Sequence, residues 1–122
     1  MATASAQLSD YRQAPRKVRV VANLVRGKRV EDAMTSLRFL GKRASDPILK
    51  LIESAVSNAK NKNIEIENLI VKEIRVDSGK ILYRRMSASR GRAPIKRKRT
   101  SHVMVVLGEG KPKKTKVKKE NK

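Results

Sequence analysis

Cysteine and tryptophan are absent from this chain of 122 residues, and aromatic residues are scarce. Without cysteine, disulfides and thiolate metal sites are excluded. Tyr11, Phe39 and Tyr83 are the only aromatic residues, so the core must be built from aliphatic side chains. The same shortage argues against binding of single strands by base stacking, because that mode needs several aromatic platforms.

Long apolar runs are also missing. No stretch approaches the length of a membrane span, and the first residues do not show a basic segment followed by an apolar one and a cleavage site. We therefore expect a cytoplasmic protein that makes no use of a membrane.

No set of residues typical of catalysis, metal binding or cofactor binding is found. A glycine-rich phosphate loop is absent, and the one histidine, His102, has only Asp77 as a nearby acid. We interpret His102 as a hydrogen-bonded residue that contacts backbone or phosphate. Glu65, Glu67, Glu73 and Asp77 alternate along one strand-like region and are expected to pair with the surrounding basic residues or stay solvated. The sequence predicts no enzyme, no metal, no cofactor and no small-molecule substrate.

Acidic residues are few, and the resulting charge is unevenly distributed. The chain has 31 Lys or Arg against 11 Asp or Glu, a net charge of +20. Residues 1–79 carry 15 bases and 9 acids, residues 80–99 carry 9 bases and no acid, and residues 100–122 carry 7 bases and 2 acids. Charge of this kind predicts a polyanionic partner. Nucleic acid fits better than an anionic membrane, with recognition by shape and phosphate.

The most basic stretch, Lys80–Arg99, is predicted to form a long hairpin. Strand-like segments flank it, and small or turn-forming residues between Ser87 and Pro94 mark its tip. Its apolar residues are few, and like charges across the legs repel. We therefore expect the hairpin to become ordered only in strongly anionic surroundings.

Arginine and lysine are used differently in the two basic segments. The hairpin has six Arg and three Lys, whereas residues 111–122 have seven Lys and no Arg. Guanidinium groups can bind a phosphate through two hydrogen bonds, whereas ammonium groups act as hydrated point charges. The hairpin is therefore suited to contacts at defined positions, and the tail to diffuse charge neutralisation. We predict a single domain over residues 1–110, with the extended hairpin at 77–101, and a disordered tail at 111–122.

Three segments have helical periodicity. Pro15–Arg26 has apolar residues on one face and the bases Arg12, Arg16, Arg19 and Arg26 largely on another. That basic face is either solvated or in contact with nucleic acid. Val30–Leu40 is predicted as the second helix.

The third predicted helix runs from Ser45 to about Asn61, with Ser45 as the N-cap and Pro47 just inside. A start near Lys42 was the alternative, but it would place the proline deeper in the helix, where it is unfavourable.

Strands are predicted on both sides of the hairpin. Leu69–Val76 alternates imperfectly, which indicates a bulge near Lys72–Glu73 or partial burial on both faces. Val103–Leu107 is continuously apolar, as in a strand covered on at least one side. Ala4–Tyr11 alternates weakly and is a candidate short strand.

Three separated motifs resemble one known family. Pro15–Lys28, Ser54–Ala59, and Arg90–Ala93 followed by Lys98–His102 are similar, in this order, to segments of the bacterial-type ribosomal large-subunit protein twenty-two family. The match spans roughly Tyr11–Leu107. The chain departs from the family pattern at Ser87–Ser89, where many members have Pro-Arg-Ala.

The resemblance implies an α+β fold in which three helices pack on a small three-stranded antiparallel sheet with a long protruding β-hairpin. It also implies that the domain binds large-subunit ribosomal RNA beside neighbouring ribosomal proteins, and that the hairpin tip lines the nascent-peptide tunnel and contacts the nascent peptide. The candidate RNA contacts are Arg16, Lys17, Arg19, Lys28, Arg84, Arg85, Arg90, Arg92, Lys96, Arg97, Lys98, Arg99 and His102. The candidate tunnel-facing residues are Met86, Ser87, Ala88, Ser89, Arg90, Gly91 and Arg92.

Two other classes of function stay open from the residues alone. A basic ribbon also suits an architectural DNA-binding protein whose hairpin enters a groove. A membrane-active cationic protein is the third class, and the weakly apolar hairpin disfavours it.

Overall fold

Three helices lie against a three-stranded antiparallel sheet in the computed structural model, which describes residues 3–85, 89–91 and 93–110. The spatial strand order is β1-β3-β2, so the last strand is central. The predicted α+β fold with its long hairpin is confirmed. The elements in chain order are β1 (Thr3–Tyr11), α1 (Pro15–Val25), α2 (Val30–Phe39), α3 (Ser45–Asn61), β2 (Leu69–Arg85) and β3 (Ile95–Glu109).

The core is aliphatic, as the scarcity of aromatic residues predicts. In the central strand, Val103, Val105 and Leu107 are buried, and the residues between them are half-buried. Each helix adds valine, leucine, isoleucine or alanine at helical spacing. Phe39 and Tyr83 are exposed, so no phenylalanine or tryptophan contributes to the core.

The free edge of β2 is covered by the loop between α1 and α2. Gly27 has a φ of 80°, and its N–H donates to the carbonyl of Val71 at 2.9 Å. The Val71 N–H in turn donates to the carbonyl of Lys28 at 2.8 Å. Further along the same edge, the side chains of Arg19 and Arg26 donate to the carbonyls of Val76 and Ile74.

The outer edge of β1 is occupied in the same way by α3. Asn58 Nδ2 donates to the carbonyl of Ser5 at 2.8 Å, and Lys62 Nζ donates to the carbonyl of Thr3 at 3.1 Å. In both outer strands, side chains or loop backbone therefore already form hydrogen bonds with carbonyls that an additional strand would have to use for pairing.

The third helix begins at Ser45 as predicted, but the prediction that Ser45 is its N-cap is wrong. Ala44 occupies the cap position, and no side chain caps the helix. Ser45 is the first helical residue and is 1% exposed, and its Oγ has no hydrogen-bond partner among the described residues. Pro47 lies in the first turn, where proline is tolerated.

The two interpretations of Ser45 predict opposite signs for Ser45→Ala. An N-cap serine would stabilise the protein by about 1 kcal/mol, whereas a buried hydroxyl without a partner carries a desolvation penalty of about 1–3 kcal/mol. We expect Ser45→Ala to raise the free energy of unfolding in urea by about 1 kcal/mol more than Ser57→Ala. Ser57 is exposed on the same helix and corrects for the higher helix propensity of alanine. A lower free energy for Ser45→Ala than for Ser57→Ala would restore the N-cap interpretation.

The β2–β3 hairpin is longer than the core part of its strands. A bulge lies between Val71 and Glu73, where the broken alternation predicts it, and a second irregularity lies between Ser78 and Ile81. Pairing continues to Arg85↔Ile95, and the described part of the tip is a tight turn at Ser89–Gly91. The predicted tip residues Met86, Ser87, Ala88 and Arg92 and the predicted tail, 111–122, lie outside the described residues.

Candidate nucleic-acid interface

Three consecutive residues hold the base of the hairpin: Thr100 joins its two legs, and Ser101 and His102 connect it to the domain. Thr100 Oγ1 donates to the carbonyl of Lys80 at 2.6 Å, across the second irregularity of the hairpin. Ser101 Oγ donates to the carbonyl of Gln13 at 2.6 Å, and His102 Nδ1 accepts a hydrogen bond from the N–H of Asp10 at 3.1 Å. Because Thr100 and Ser101 are buried, these contacts fix the direction in which the hairpin leaves the sheet.

His102 contacts the backbone, as the sequence predicts for this position. Its Nδ1 is an acceptor, so the neutral ring carries its proton on Nε2. A Cβ placed on Gly79 would lie 3.1 Å from that Nε2, so the ring fills the space above the glycine. Within the described residues, no three His, Cys, Asp or Glu side chains are grouped to hold a metal. The predicted contact of His102 with RNA stays a prediction.

A groove of about 520 Å³ opens beside the base of the hairpin. Three separate parts of the chain form it: the β1–α1 loop with the start of α1, the α2–α3 loop, and the first residues of β3. No acidic residue lines it. The lining residues are Arg12, Gln13, Ala14, Lys17, Arg43, Lys96, Arg97, Lys98 and Arg99.

Two further grooves extend this surface along the hairpin and along α1. One, of about 330 Å³, is lined by Arg12, Leu82, Arg84, Arg85, Lys96 and Lys98. The other, of about 280 Å³, is lined by Ala14, Pro15, Arg16, Arg19, Ser78 and Arg99. Both further grooves adjoin the first, with which they share lining residues: Arg12, Lys96 and Lys98 in one case, Ala14 and Arg99 in the other. We call the combined lining of the three grooves the basic surface.

The cations of the basic surface are not neutralised by the protein. In the part of the chain that the structure describes, Arg75 and Asp77 form the only ion pair, at 3.3 Å, and both side chains are more than half exposed. Directly opposite each other in the hairpin ladder are Arg84 and Lys96, a like-charge pair that is unfavourable without a counter-anion. The surface is therefore suited to a polyanion.

The structure brings most of the sequence-predicted contacts onto the basic surface, but not all of them. Lys28 lies elsewhere, with its Nζ 3.5 Å from Ser36 Oγ, and Arg90 lies exposed in the turn at the tip. Arg19 lines the surface while its guanidinium also donates to the sheet edge. Those on the surface are Arg16, Lys17, Arg19, Arg84, Arg85, Lys96, Arg97, Lys98 and Arg99.

Arg12 and Arg43 line the basic surface and were missed as contacts by the sequence analysis. Arg12 belongs to the predicted basic face of the first helix, so the sequence contained evidence for it as a contact. Arg43 lies in the short α2–α3 loop, and nothing in the neighbouring residues indicates that this loop faces the hairpin. Its place depends on how α2 and α3 pack on the sheet.

Tyr11 links the two loops that form the groove. Its hydroxyl donates to Gln13 Oε1 at 2.9 Å and lies 3.5 Å from the carbonyl oxygen of Arg43. Burial raises the pKa of Tyr11 above its ordinary value, and the positive charge of Arg43 partly offsets the increase. The neutral phenol is therefore the form that the folded protein prefers.

This preference predicts a loss of stability at high pH. The folded-state pKa of Tyr11 is raised above the ordinary value of 10.0, so its contribution is fully present below pH 10 and is lost as the pH rises through the folded-state pKa. We expect the free energy of unfolding to fall with pH above 10 less steeply in Tyr11→Phe than in wild type. Tyr83→Phe, which alters an exposed tyrosine, is the control and should keep the wild-type slope. Equal slopes for all three proteins would contradict the pKa shift.

A separate groove of about 440 Å³ lies between β1 and α3 and differs in character. Leu8, Pro47 and Leu51 contribute apolar surface, and its two charged residues, Asp46 and Lys50, have opposite signs. It therefore does not extend the basic surface. No helix in the described parts of the chain is both long and apolar enough to cross a membrane.

The sequence is similar to a known family over most of its length. A family model described as "Ribosomal protein L22p/L17e" matches residues 6–108. A protein of Flavobacterium johnsoniae named "Large ribosomal subunit protein uL22" is 49% identical over 109 residues, which cover 86% of this chain and 80% of that protein. Proteins of the same name from Trichlorobacter lovleyi and from Desulfitobacterium hafniense strain Y51 are each 47% identical, covering 88% and 91% of this chain and 96% and 98% of their own length.

Proposed function

Because the chain belongs to the ribosomal protein L22p/L17e family, we propose that it binds large-subunit ribosomal RNA through the basic surface, with its hairpin inserted between RNA segments. As a member of this family it is a structural constituent of the large subunit of the cytoplasmic ribosome and not an enzyme. Neighbouring ribosomal proteins are further partners in this setting.

The observation that carries the RNA-binding proposal is the continuity of the basic surface from the domain onto both legs of the hairpin. Arg16 and Lys17 on α1, Arg12 and Arg43 on loops, and Lys96–Arg99 on β3 surround connected grooves without an acid among them. An RNA backbone placed there releases condensed counterions and relieves the repulsion among these cations. Binding of this kind reads the shape of folded RNA.

We further propose that the hairpin tip faces the nascent-peptide tunnel and contacts the nascent peptide. The paired legs carry the turn at Ser89–Gly91 well beyond the last buried residues of the sheet, which are Thr100 and Ser101 on β3. In this arrangement the predicted tip residues line the tunnel, while Lys28, Arg90 and His102 add RNA contacts outside the basic surface and Arg92 is a further predicted RNA contact. The order of the hairpin depends on the RNA around it, and the lysine-rich tail adds diffuse contacts.

Competition between nucleic acids tests the proposal against the DNA-binding alternative. The grooves are formed by loops, a helix and a hairpin together, so they fit a folded RNA surface better than the regular groove of a duplex. We expect duplex DNA at equal phosphate concentration to fail to displace large-subunit ribosomal RNA from the protein. Filter binding at fixed salt measures this, since both complexes weaken as salt rises. Displacement by DNA would favour an architectural DNA-binding protein, and absence of the protein from purified large subunits would refute the proposal.

A further inference from the structure

We propose that a small pocket beside the basic surface holds one unstacked RNA base while the adjoining phosphates lie in the groove. The inference rests on the proposed function and specifies how the RNA is held. Gln13, Lys17 and Arg43 line both the pocket and the 520 Å³ groove, so a nucleotide can occupy the two at once.

The pocket lies between α1 and the α2–α3 loop and has a volume of about 250 Å³. It is smaller than the cavities of about 300–1,000 Å³ that take drug-sized ligands, which restricts it to a ligand of one ring system. Its lining residues are Gln13, Lys17, Val20, Val21, Lys42, Arg43 and Ala44.

The pocket is lined by both apolar and cationic side chains. Val21 and Ala44 are buried, and Val20 is 59% exposed although it is a large aliphatic residue in a helix. Exposed apolar area of this kind suits the face of an unstacked base, and recognition of RNA by splayed-out bases is common. Lys17 and Lys42 also line the pocket, and Lys17 is shared with the groove, so their ammonium groups are available to the phosphates of that nucleotide while Arg43 is available to the base.

Gln13 is held in place by three hydrogen bonds. Its N–H donates to the carbonyl of Tyr11 at 2.9 Å, its carbonyl accepts from Ser101 Oγ, and its side-chain Oε1 accepts from the hydroxyl of Tyr11. With Oε1 engaged, the amide NH₂ is the group that Gln13 offers to a ligand. Together with the cationic side chains of Lys17, Lys42 and Arg43, this makes the side chains that line the pocket rich in hydrogen-bond donors.

Donors select for a base edge that carries acceptors. Guanine presents two adjacent acceptors, O6 and N7, whereas adenine pairs its N7 with an amino donor. A guanine with its O6/N7 edge towards Gln13 and Arg43 therefore fits best. An acidic side chain of a neighbouring protein would satisfy the cations but would leave the exposed side chain of Val20 without an apolar partner.

Filling the pocket without removing a charge tests the inference. Val20→Trp places a larger side chain in the pocket, and Leu24→Trp places the same side chain one helical turn away, at a residue that is 41% exposed and outside the pocket lining. We expect Val20→Trp to weaken binding to large-subunit ribosomal RNA about 10-fold or more, the scale of one lost base contact. Leu24→Trp should stay within about twofold of wild type on the same scale. The salt dependence should be unchanged in both.

Dimethyl sulfate, which methylates guanine N7, supplies the second measurement. Wild-type protein should protect one guanine N7 of the RNA, and Val20→Trp should lose that protection while the backbone footprint from hydroxyl radicals persists. Circular dichroism of both variants confirms that α1 is intact. Loss of the guanine protection with an unchanged backbone footprint and an intact helix would support a base bound in the pocket.

Other outcomes would overturn the inference and leave the proposed function standing. Wild-type affinity of Val20→Trp, or the absence of a guanine that depends on Val20, would show that the pocket is empty in the complex. Normal RNA binding by Val20→Trp together with failure to enter assembled subunits would assign the pocket to a protein partner. The proposed function itself fails only if the wild-type protein does not bind the RNA.

Discussion

Replacing Lys96, Lys98 and Arg99 with glutamine should weaken binding to large-subunit ribosomal RNA by on the order of 100-fold at physiological salt. These three residues lie on one leg of the hairpin, and all of them line the 520 Å³ groove. If each contacts a phosphate, the slope of log K against log salt should become shallower by about 2–3. Filter binding between about 50 and 200 mM salt gives both quantities.

A variant with the same net charge distinguishes the effect of contacts at defined positions from the effect of total charge. Replacing Arg38, Lys50 and Lys60 with glutamine removes the same charge from exposed helix positions outside the basic surface, so that both variants have a net charge of +17, three below +20. We expect this control to lose less than about 10-fold in affinity. Equal losses in the two variants would mean that the protein binds RNA through its net charge, without placed contacts.

Gly79→Ala should lower the free energy of unfolding by about 1–3 kcal/mol, the range for overpacking. A Cβ at this position would lie 2.5 Å from Thr100 Oγ1, which no real Cβ tolerates without movement. Thr100 is 2% exposed, and its hydroxyl is held by the carbonyl of Lys80, so it cannot easily turn away. Urea unfolding measures the loss, and Gly41→Ala, with nothing within 4 Å of the added Cβ, is the control.

A double-mutant cycle identifies the clash as the cause. Thr100→Ala removes the hydroxyl that a Cβ on Gly79 would meet, so the double variant Gly79→Ala/Thr100→Ala should be destabilised by less than the sum of the single variants. We expect a coupling free energy of about 1 kcal/mol or more. Additive effects would mean that Thr100 Oγ1 is not the group that excludes a side chain here, and would point to His102 Nε2, 3.1 Å from the added Cβ.

The elements that local patterns define were predicted well. Helix α1 begins at Pro15, and the apolar residues of its predicted inner face, among them Val18, Val21 and Val25, are buried as the helical spacing requires. The bulge in β2 could be expected from the sequence because the apolar residues change from odd to even positions between Val71 and Ile74. The structure has one extra residue there, which restores the alternation of buried residues. Such signals depend only on neighbours in the sequence, so they can be interpreted without the fold.

Features that depend on contacts between distant segments were not predictable in the same way. Arg43 joins the groove through the packing of the α2–α3 loop beside the hairpin base, and Gly79 is required because Thr100 crosses over it on the neighbouring strand. Ser45 has the residue type and position of an N-cap, but tertiary packing buries its hydroxyl without a partner. In each case a long-range contact decides the role.

Both margins of the sheet are already occupied by other parts of the chain before the protein binds RNA. On one side, the α1–α2 loop and the side chains of Arg19 and Arg26 donate hydrogen bonds to backbone carbonyls of β2. On the other side, Asn58 and Lys62 donate hydrogen bonds to backbone carbonyls of β1. A second copy of the chain cannot extend the sheet over these stretches without displacing them. Over these stretches, the folded chain is therefore protected from fibre-like self-association during the interval between synthesis and incorporation.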